Sequence, residues 1–158
     1  MEQTTDALEV RRAVEIDASP ETVWQLLVDP AKATAWWGSA MRLDPRPGGE
    51  IRIEVTPRSI AVGEFVEVDP PRRLVYTWGW EAGGGGPELV PPGSSTVEVE
   101  LVPTGGGTTL ILTHRGLPSD ESRAEHGAGW DHYLGRLAVR AGGGDPGPDP
   151  WAAGPKQV

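Results

Sequence analysis

Apolar and polar residues alternate along six segments of the chain, and this alternation constrains the fold more than any other feature. In "GGEIRIEVTP", for example, Ile51, Ile53 and Val55 alternate with charged or polar neighbours. A period of two places every second side chain on the same face of a β-strand, so that one face can be buried. Because short turns join most of these segments, the chain is predicted to form an antiparallel sheet of about six or seven strands.

Helical patterns occur at both ends of this run of strands. After the first strand, Ser19 and Pro20 are typical of a helix start and Pro30 ends the helix. A second short helix, "PAKATAWW", is predicted to end at Gly38. The segment "SDESRAEHGAGWDHYLGRLAVRA" predicts a long C-terminal helix with one buried face. A twisted sheet wrapped around this helix is the simplest way to bury that face, so the predicted fold class is α+β.

Charge and composition exclude several kinds of partner. The chain has 158 residues, a formal net charge of −9 and no cysteine. An acidic chain repels phosphate groups, so we expect no nucleic-acid partner and no binding to anionic membranes. Disulfides and thiolate ligands are excluded. No apolar run is long enough to span a membrane and the N-terminal residues lack a signal-peptide core, so we expect a cytoplasmic protein.

Glycine and proline are concentrated in the last segment, "AGGGDPGPDPWAAGPKQV". Such a composition cannot bury enough apolar area to offset the entropy cost of ordering the chain. We therefore predict one domain over residues 1–141 and a disordered tail over residues 142–158. Trp151 is the exception within the tail, since a lone tryptophan can dock on the surface of a neighbouring molecule.

Six segments in this order resemble the activator of Hsp90 ATPase homologue family, which belongs to the START-like, helix-grip superfamily (SRPBCC). The segments are "SPETVWQLLVDPAKATAWWG", "DPRPGGEIRI", "GEFVEVDPPRRLVYTW", "STVEVEL", "GGGTTLILTHRGLP" and "HGAGWDHYLGRL". The resemblance covers roughly residues 8–141. It implies a helix-grip fold with a cavity between the curved sheet and the C-terminal helix, in which members bind apolar molecules. Some members are cyclases, dehydratases or hydrolases, and the namesake domain helps to stimulate a chaperone's ATPase.

Tryptophan and tyrosine are the residues that best indicate a binding site, because the chain has seven Trp and two Tyr but only one Phe. Their rings bury a large area and keep one polar group, so a cavity lined by them suits a flat apolar ligand. We predict that the protein binds a small apolar or aromatic molecule and needs no cofactor. The predicted ligand-binding residues are Trp36, Trp37, Tyr76, Trp78, Trp80, His114, Trp130 and Tyr133.

Trp36 and Trp37 are adjacent at the end of a short helix. Adjacent helical residues point about 100° apart, so the two rings cannot share one narrow buried stripe. We expect one ring to fill the core and the other to face the cavity or its mouth.

Two alternative functions stay open at this point. If Glu64 or His114 faces inward, either residue could act as acid or base in an enzyme of the cyclase, dehydratase or hydrolase type. If side chains fill the cavity and an exposed patch lies elsewhere, the domain is instead an interaction module for a chaperone or for a second copy of the chain. The spacing of the three histidines does not favour a metal site, so none is predicted.

Overall fold

The computed structural model describes residues 8–38, 40–57, 59–81 and 90–151. The strands are β1 (Val10–Ile16), β2 (Ala40–Leu43), β3 (Glu50–Thr56), β4 (Ser59–Asp69), β5 (Arg73–Trp80), β6 (Ser95–Thr104) and β7 (Gly107–Arg115). The helices are α1 (Pro20–Val28), α2 (Pro30–Ala33) and α3 (Asp120–Ala141).

The strands form one antiparallel sheet in the order β1-β7-β6-β5-β4-β3-β2. From β2 to β7 each strand pairs with the next one along the chain, and β1 pairs with β7 at the other edge. The predicted helix-grip architecture is confirmed. Six strands correspond to the predicted segments, whereas β2 is a four-residue strand on β3 that the alternation did not single out.

The buried face of the sheet follows from the alternation along the strands. Ile53 in β3, Val99 in β6 and Leu112 in β7 each have 3% or less of their surface exposed. Their neighbours along each strand are at least partly exposed or polar. The result is one continuous apolar surface against which the three helices lie.

The two short helices begin at caps that the sequence supplies. The hydroxyl of Ser19 accepts a hydrogen bond from the backbone N–H of Thr22 at 3.2 Å, and the carboxylate of Asp29 caps α2 in the same way. The second helix is shorter than predicted. It ends at Ala33, and the backbone N–H of Trp36 already bonds to the carbonyl of Ala33 in a tighter turn.

Ser119 is the N-cap of helix α3, and its hydroxyl accepts a hydrogen bond from the backbone N–H of Ser122. The outer face of the helix is mostly polar. Gly127 lies where the side chain of Arg12 crosses the helix. A Cβ at Gly127 would lie 2.8 Å from Nη2 of Arg12. The guanidinium of Arg12 continues across to Asp131, with 2.6 Å between Nε and Oδ1. The missing side chain therefore allows β1 and α3 to be joined by an ion pair.

The segment after α3 is described as far as Trp151, and it lies against the helix. The guanidinium of Arg136 donates to the carbonyl oxygens of Pro146 and Gly147 at 3.3 and 2.8 Å. The composition of this segment predicted disorder over residues 142–158, but its described part is held by hydrogen bonds. The domain boundary at residue 141 stays a prediction, and residues 152–158 lie outside the described residues.

Two glycine substitutions test the close approach of β4 to β5. A Cβ at Gly63 would lie 1.9 Å from the carbonyl oxygen of Thr77, whereas a Cβ at Gly135 would meet nothing within 4 Å. We expect Gly63→Ala to lower the free energy of unfolding by at least about 2 kcal/mol, because β4 and β5 must separate. Gly135→Ala should raise it by up to about 1 kcal/mol, because alanine favours the helix. Urea unfolding measures both; equal effects would contradict the strand arrangement.

Candidate functional site

The Trp36–Trp37 pair occupies two depths of the interior. Trp36 is 1% exposed, and its indole N–H donates to the carbonyl oxygen of Leu26 at 2.8 Å. Trp37 stacks on it with ring centres 5.0 Å apart and lies on the wall of a cavity. One ring therefore fills the core between α1 and the sheet, and the other faces the cavity.

Trp37 is the centre of an aromatic cluster that joins β5 to α3. Its ring stacks on Trp78 of β5 with centres 5.7 Å apart and an interplanar angle of 11°. It also contacts two rings of α3, those of Trp130 at 5.6 Å and Tyr133 at 6.4 Å. Trp80 contacts the edge of Trp78 from the same strand face at 5.4 Å. Sheet and helix are thus held apart by flat rings.

His114 lies beneath this cluster and is fully buried. The indole N–H of Trp130 donates to Nδ1 of His114 at 3.1 Å, and an indole nitrogen can only donate. The ring proton of His114 is therefore on Nε2, from which it is donated to the hydroxyl of Ser95 at 2.9 Å. The hydroxyl of Ser95 in turn donates a hydrogen bond to the carbonyl oxygen of Trp78 at 2.7 Å. This chain of hydrogen bonds connects α3, β7, β6 and β5.

His126 of α3 is the second buried histidine, and it is the opposite tautomer. Its Nε2 accepts the indole N–H of Trp80 at 3.0 Å, so its proton is on Nδ1, 2.8 Å from the carbonyl oxygen of Ser122. The rings of His114 and His126 are 5.1 Å apart. Burial and the nearby His126 lower the pKa of His114 to about 3, and burial lowers the pKa of His126. Both imidazoles are neutral hydrogen-bonding groups at neutral pH.

The cavity between β5 and α3 has a volume of about 180 Å³. Half of the residues in its wall are Trp or Tyr, three others have polar side chains and one is charged. The lining residues are Trp37, Val55, Thr56, Ser59, Trp78, Trp80, Glu125, His126, Gly129, Trp130, Tyr133 and Trp151.

The structure brings five of the eight predicted ligand-binding residues to this cavity. They are Trp37, Trp78, Trp80, Trp130 and Tyr133. The other three, Trp36, Tyr76 and His114, are buried behind the wall. Tyr76 packs its ring against Phe65 at 6.1 Å. A ligand-binding role of any of these residues stays a prediction.

Glu64 does not face the interior, so the condition under which it could act as an acid or base in the cavity is not met. It is exposed on β4, where Ala61 and Phe65 are the buried residues. Both faces of this segment carry apolar side chains, so the alternation alone could not decide between them. His114 faces inward as expected, but both its ring nitrogens are occupied by Trp130 and Ser95. Neither residue therefore offers a free acid or base to the interior.

Several lining residues were not predicted to belong to the site. His126, Gly129, Trp130 and Tyr133 follow the spacing i, i+3, i+4, i+7, which puts them on one helix face. This spacing would have identified His126 and Gly129 once Trp130 was chosen. Trp151 lies outside any periodic segment, so no local pattern could have placed it at the cavity.

Trp78 carries an unpaired donor. Its indole nitrogen is buried and has no hydrogen-bond partner within the described ranges. A buried donor without a partner typically costs about 1–3 kcal/mol. The wall of the cavity therefore contains a polar group that the surrounding chain leaves unsatisfied.

Across residues 8–38, 40–57, 59–81 and 90–151, no three His, Asp or Glu side chains come together as metal ligands. Over the same residues, no helix combines the length and the apolar character that crossing a membrane requires.

The sheet, the long helix and the ring-lined interior define a START-like, helix-grip protein. The model of the family described as "Activator of Hsp90 ATPase homolog 1-like protein" matches residues 17–142. The chain belongs to this family. No curated protein gives a match to the sequence.

Three solved structures illustrate the similarity. The AHSA1-like protein from Rhizobium etli is 50% identical over 90% of this chain and 87% of that protein, with a TM-score of 0.73. CalU16 from Micromonospora echinospora is 30% identical over 82% of this chain and 73% of its own, with a TM-score of 0.66. DynU16, a protein of the dynemicin biosynthetic locus, is 26% identical over 87% of this chain with a TM-score of 0.73, but this chain spans only 48% of DynU16. These relatives support a ligand-binding fold.

A matched pair of substitutions tests the hydrogen-bond assignment. Trp78→Phe and Trp130→Phe each replace a buried indole in the same cluster by a smaller ring. Trp130→Phe also leaves Nδ1 of His114 without its donor, whereas Trp78→Phe removes a donor that has no partner. We expect Trp130→Phe to be more destabilising by about 1–3 kcal/mol. Urea unfolding gives the difference; a larger loss in Trp78→Phe would contradict the assignment.

Proposed function

We propose that the protein binds a neutral molecule of one or two aromatic rings, or the ring-bearing end of a longer apolar molecule. The site is the cavity between β5 and α3. The observation that carries the proposal is the aromatic wall, formed by rings of β5, α3 and the turn after α2. Flat faces from several elements around one space favour a flat ligand.

The volume of the cavity sets the size of the ligand. Sites for drug-sized molecules typically measure about 300–1,000 Å³, whereas an apolar cavity of about 150 Å³ is known to hold benzene. At about 180 Å³, the space suits one ring or a small fused pair. A larger ligand would place only one end in the cavity.

The charges around the cavity disfavour an anionic ligand. Glu125 is the charged residue at the edge of the cavity, His126 is neutral because burial lowers its pKa, and the whole chain has a net charge of −9. An anion would be repelled, and no basic side chain lies among the lining residues. Binding should therefore come from apolar burial and depend little on salt.

A small contact area also limits the affinity. Burial of about 200 Å² of ligand surface at about 25 cal/mol per Å² gives about 5 kcal/mol before the cost of association. We therefore expect dissociation constants no lower than about 0.2 mM for a ligand that occupies the cavity alone.

The interaction-module alternative has less support. The large exposed apolar side chains in the described ranges are Val66, Val102, Val139 and Trp151. They lie on β4, β6, α3 and the C-terminal segment, so no strand or helix presents more than one of them. Docking surfaces are usually contiguous apolar patches.

An NMR titration with 1-naphthol tests the proposed function. In ¹⁵N–¹H spectra the indole N–H signals of Trp78 and Trp80 should shift, whereas that of Trp24, which is buried in α1 outside the cavity wall, should not. Gly129→Ala puts a methyl group at the cavity wall, while Gly135→Ala puts one on the exposed side of the same helix. We expect Gly129→Ala to weaken binding at least about fivefold and Gly135→Ala to leave it unchanged.

Two outcomes would contradict the proposed function. If no indole signal shifts, the cavity does not accept a ligand of this class. If 1-naphthol binds both glycine variants equally well, it binds elsewhere.

A further inference from the structure

We propose that residues 142–151 form a strap that completes the outer wall of the cavity, and that Trp151 is the residue that determines which ligands fit. The family match ends at residue 142, so the family model does not describe the strap beyond that residue. Its role in selecting ligands rests on the proposed function. Its attachment to the domain can be tested without any ligand.

Asp149 is the main anchor of the strap. Its side chain is only 9% exposed. One carboxylate oxygen accepts the hydroxyl of Tyr133 at 2.6 Å, and the other lies 2.8 Å from Nε2 of His132. Burial acts to raise the pKa of Asp149, but the hydrogen bonds from Tyr133, His132 and the backbone of Trp151 bring it below its ordinary value. The carboxylate is thus ionised, buried and bound to two residues of α3.

Arg136 is the second anchor, and it links the strap to the aromatic cluster. Its Nη1 and Nη2 atoms donate to the carbonyl oxygens of Pro146 and Gly147, while its Nε donates to the carbonyl oxygen of Trp36 at 3.1 Å. Trp36 precedes the cavity residue Trp37. One guanidinium therefore ties together α3, the strap and the backbone beside the cavity.

Trp151 is held less firmly than these anchors. Its ring stacks on His132 with centres 3.9 Å apart and an interplanar angle of 7°, and it meets the edge of Tyr133 at 5.8 Å. Its backbone N–H bonds to Asp149 at 3.0 Å, yet 45% of the residue is exposed. A ring that lines the cavity on one side and faces solvent on the other is placed to decide what enters.

Tyr133 couples the strap to the site, since it lines the cavity and also binds Asp149. Removing Trp151 should open the cavity toward solvent. A small ligand would then lose one wall, whereas a ligand too large for the space that Trp151 bounds would gain access. This opposite effect on two ligands distinguishes a selecting residue from a merely stabilising one.

The first part of the experiment is free of ligand and uses the full chain. We would measure ¹⁵N relaxation of the Trp151 indole in the wild type and in Asp149→Ala, with the Trp24 indole as internal reference. A docked strap predicts that the Trp151 indole is ordered in the wild type and becomes more mobile relative to Trp24 in Asp149→Ala. A Trp151 indole that is already mobile in the wild type would overturn the strap.

The second part compares 1-naphthol with the larger 1-hydroxypyrene in the wild type and Trp151→Ala, with Val66→Ala as the control for loss of an exposed apolar side chain. We expect Trp151→Ala to weaken 1-naphthol binding about threefold to tenfold and to strengthen 1-hydroxypyrene binding. Val66→Ala should change neither. If 1-naphthol binds the wild type but Trp151→Ala changes neither the affinity for 1-naphthol nor that for 1-hydroxypyrene, the selecting role is wrong and the proposed function stands. If neither probe binds any variant, the proposed function fails and the selecting role fails with it.

Discussion

The hydrogen bond from the indole of Trp130 to His114 joins the long helix to the middle of the sheet, and the arrangement of the interior depends on it. A buried indole N–H needs an acceptor, and His114 can supply one only if its own proton is on the other nitrogen. His114 then donates a hydrogen bond from that nitrogen to the hydroxyl of Ser95, and Ser95 donates one to the carbonyl oxygen of Trp78. One requirement for hydrogen bonding thus fixes the relative positions of four elements.

The same cluster determines how much space remains for a ligand. Trp36 and Trp37 stack, and Trp37 stacks in turn on Trp78, so the rings fill most of the region between the sheet and α3. The residual cavity of about 180 Å³ lies where the stack ends, beside Trp80 and Gly129. The interior is therefore neither a solid core nor a wide pocket. Around Trp37 it is a stack of rings with a small gap beside it, which is why we propose a small aromatic ligand.

Local sequence patterns were sufficient for the fold but only partly for the site. The period-two alternation and the caps at Ser19 and Ser119 depend on neighbouring residues, so they could be recognised without the structure. The alternation could not decide which way Glu64 faces, because Val62 and Val66 on one side of β4 look as apolar as Ala61 and Phe65 on the other. Only the pairing of β4 with β5 decides between them, and that pairing brings Phe65 opposite Tyr76. The contacts of Trp151 likewise depend on how the strap turns back along α3, which composition does not encode.

The protonation of the two buried histidines is the most direct test of this account, and ¹⁵N NMR of their rings measures it. The network predicts that His114 carries its proton on Nε2 and His126 on Nδ1, each as a single tautomer. It also predicts that His114 stays neutral from pH 8 to pH 5, because burial lowers its pKa to about 3. Ring signals that average between the two tautomers, or a His114 that titrates near its ordinary value of 6.5, would contradict the network that joins α3 to the sheet.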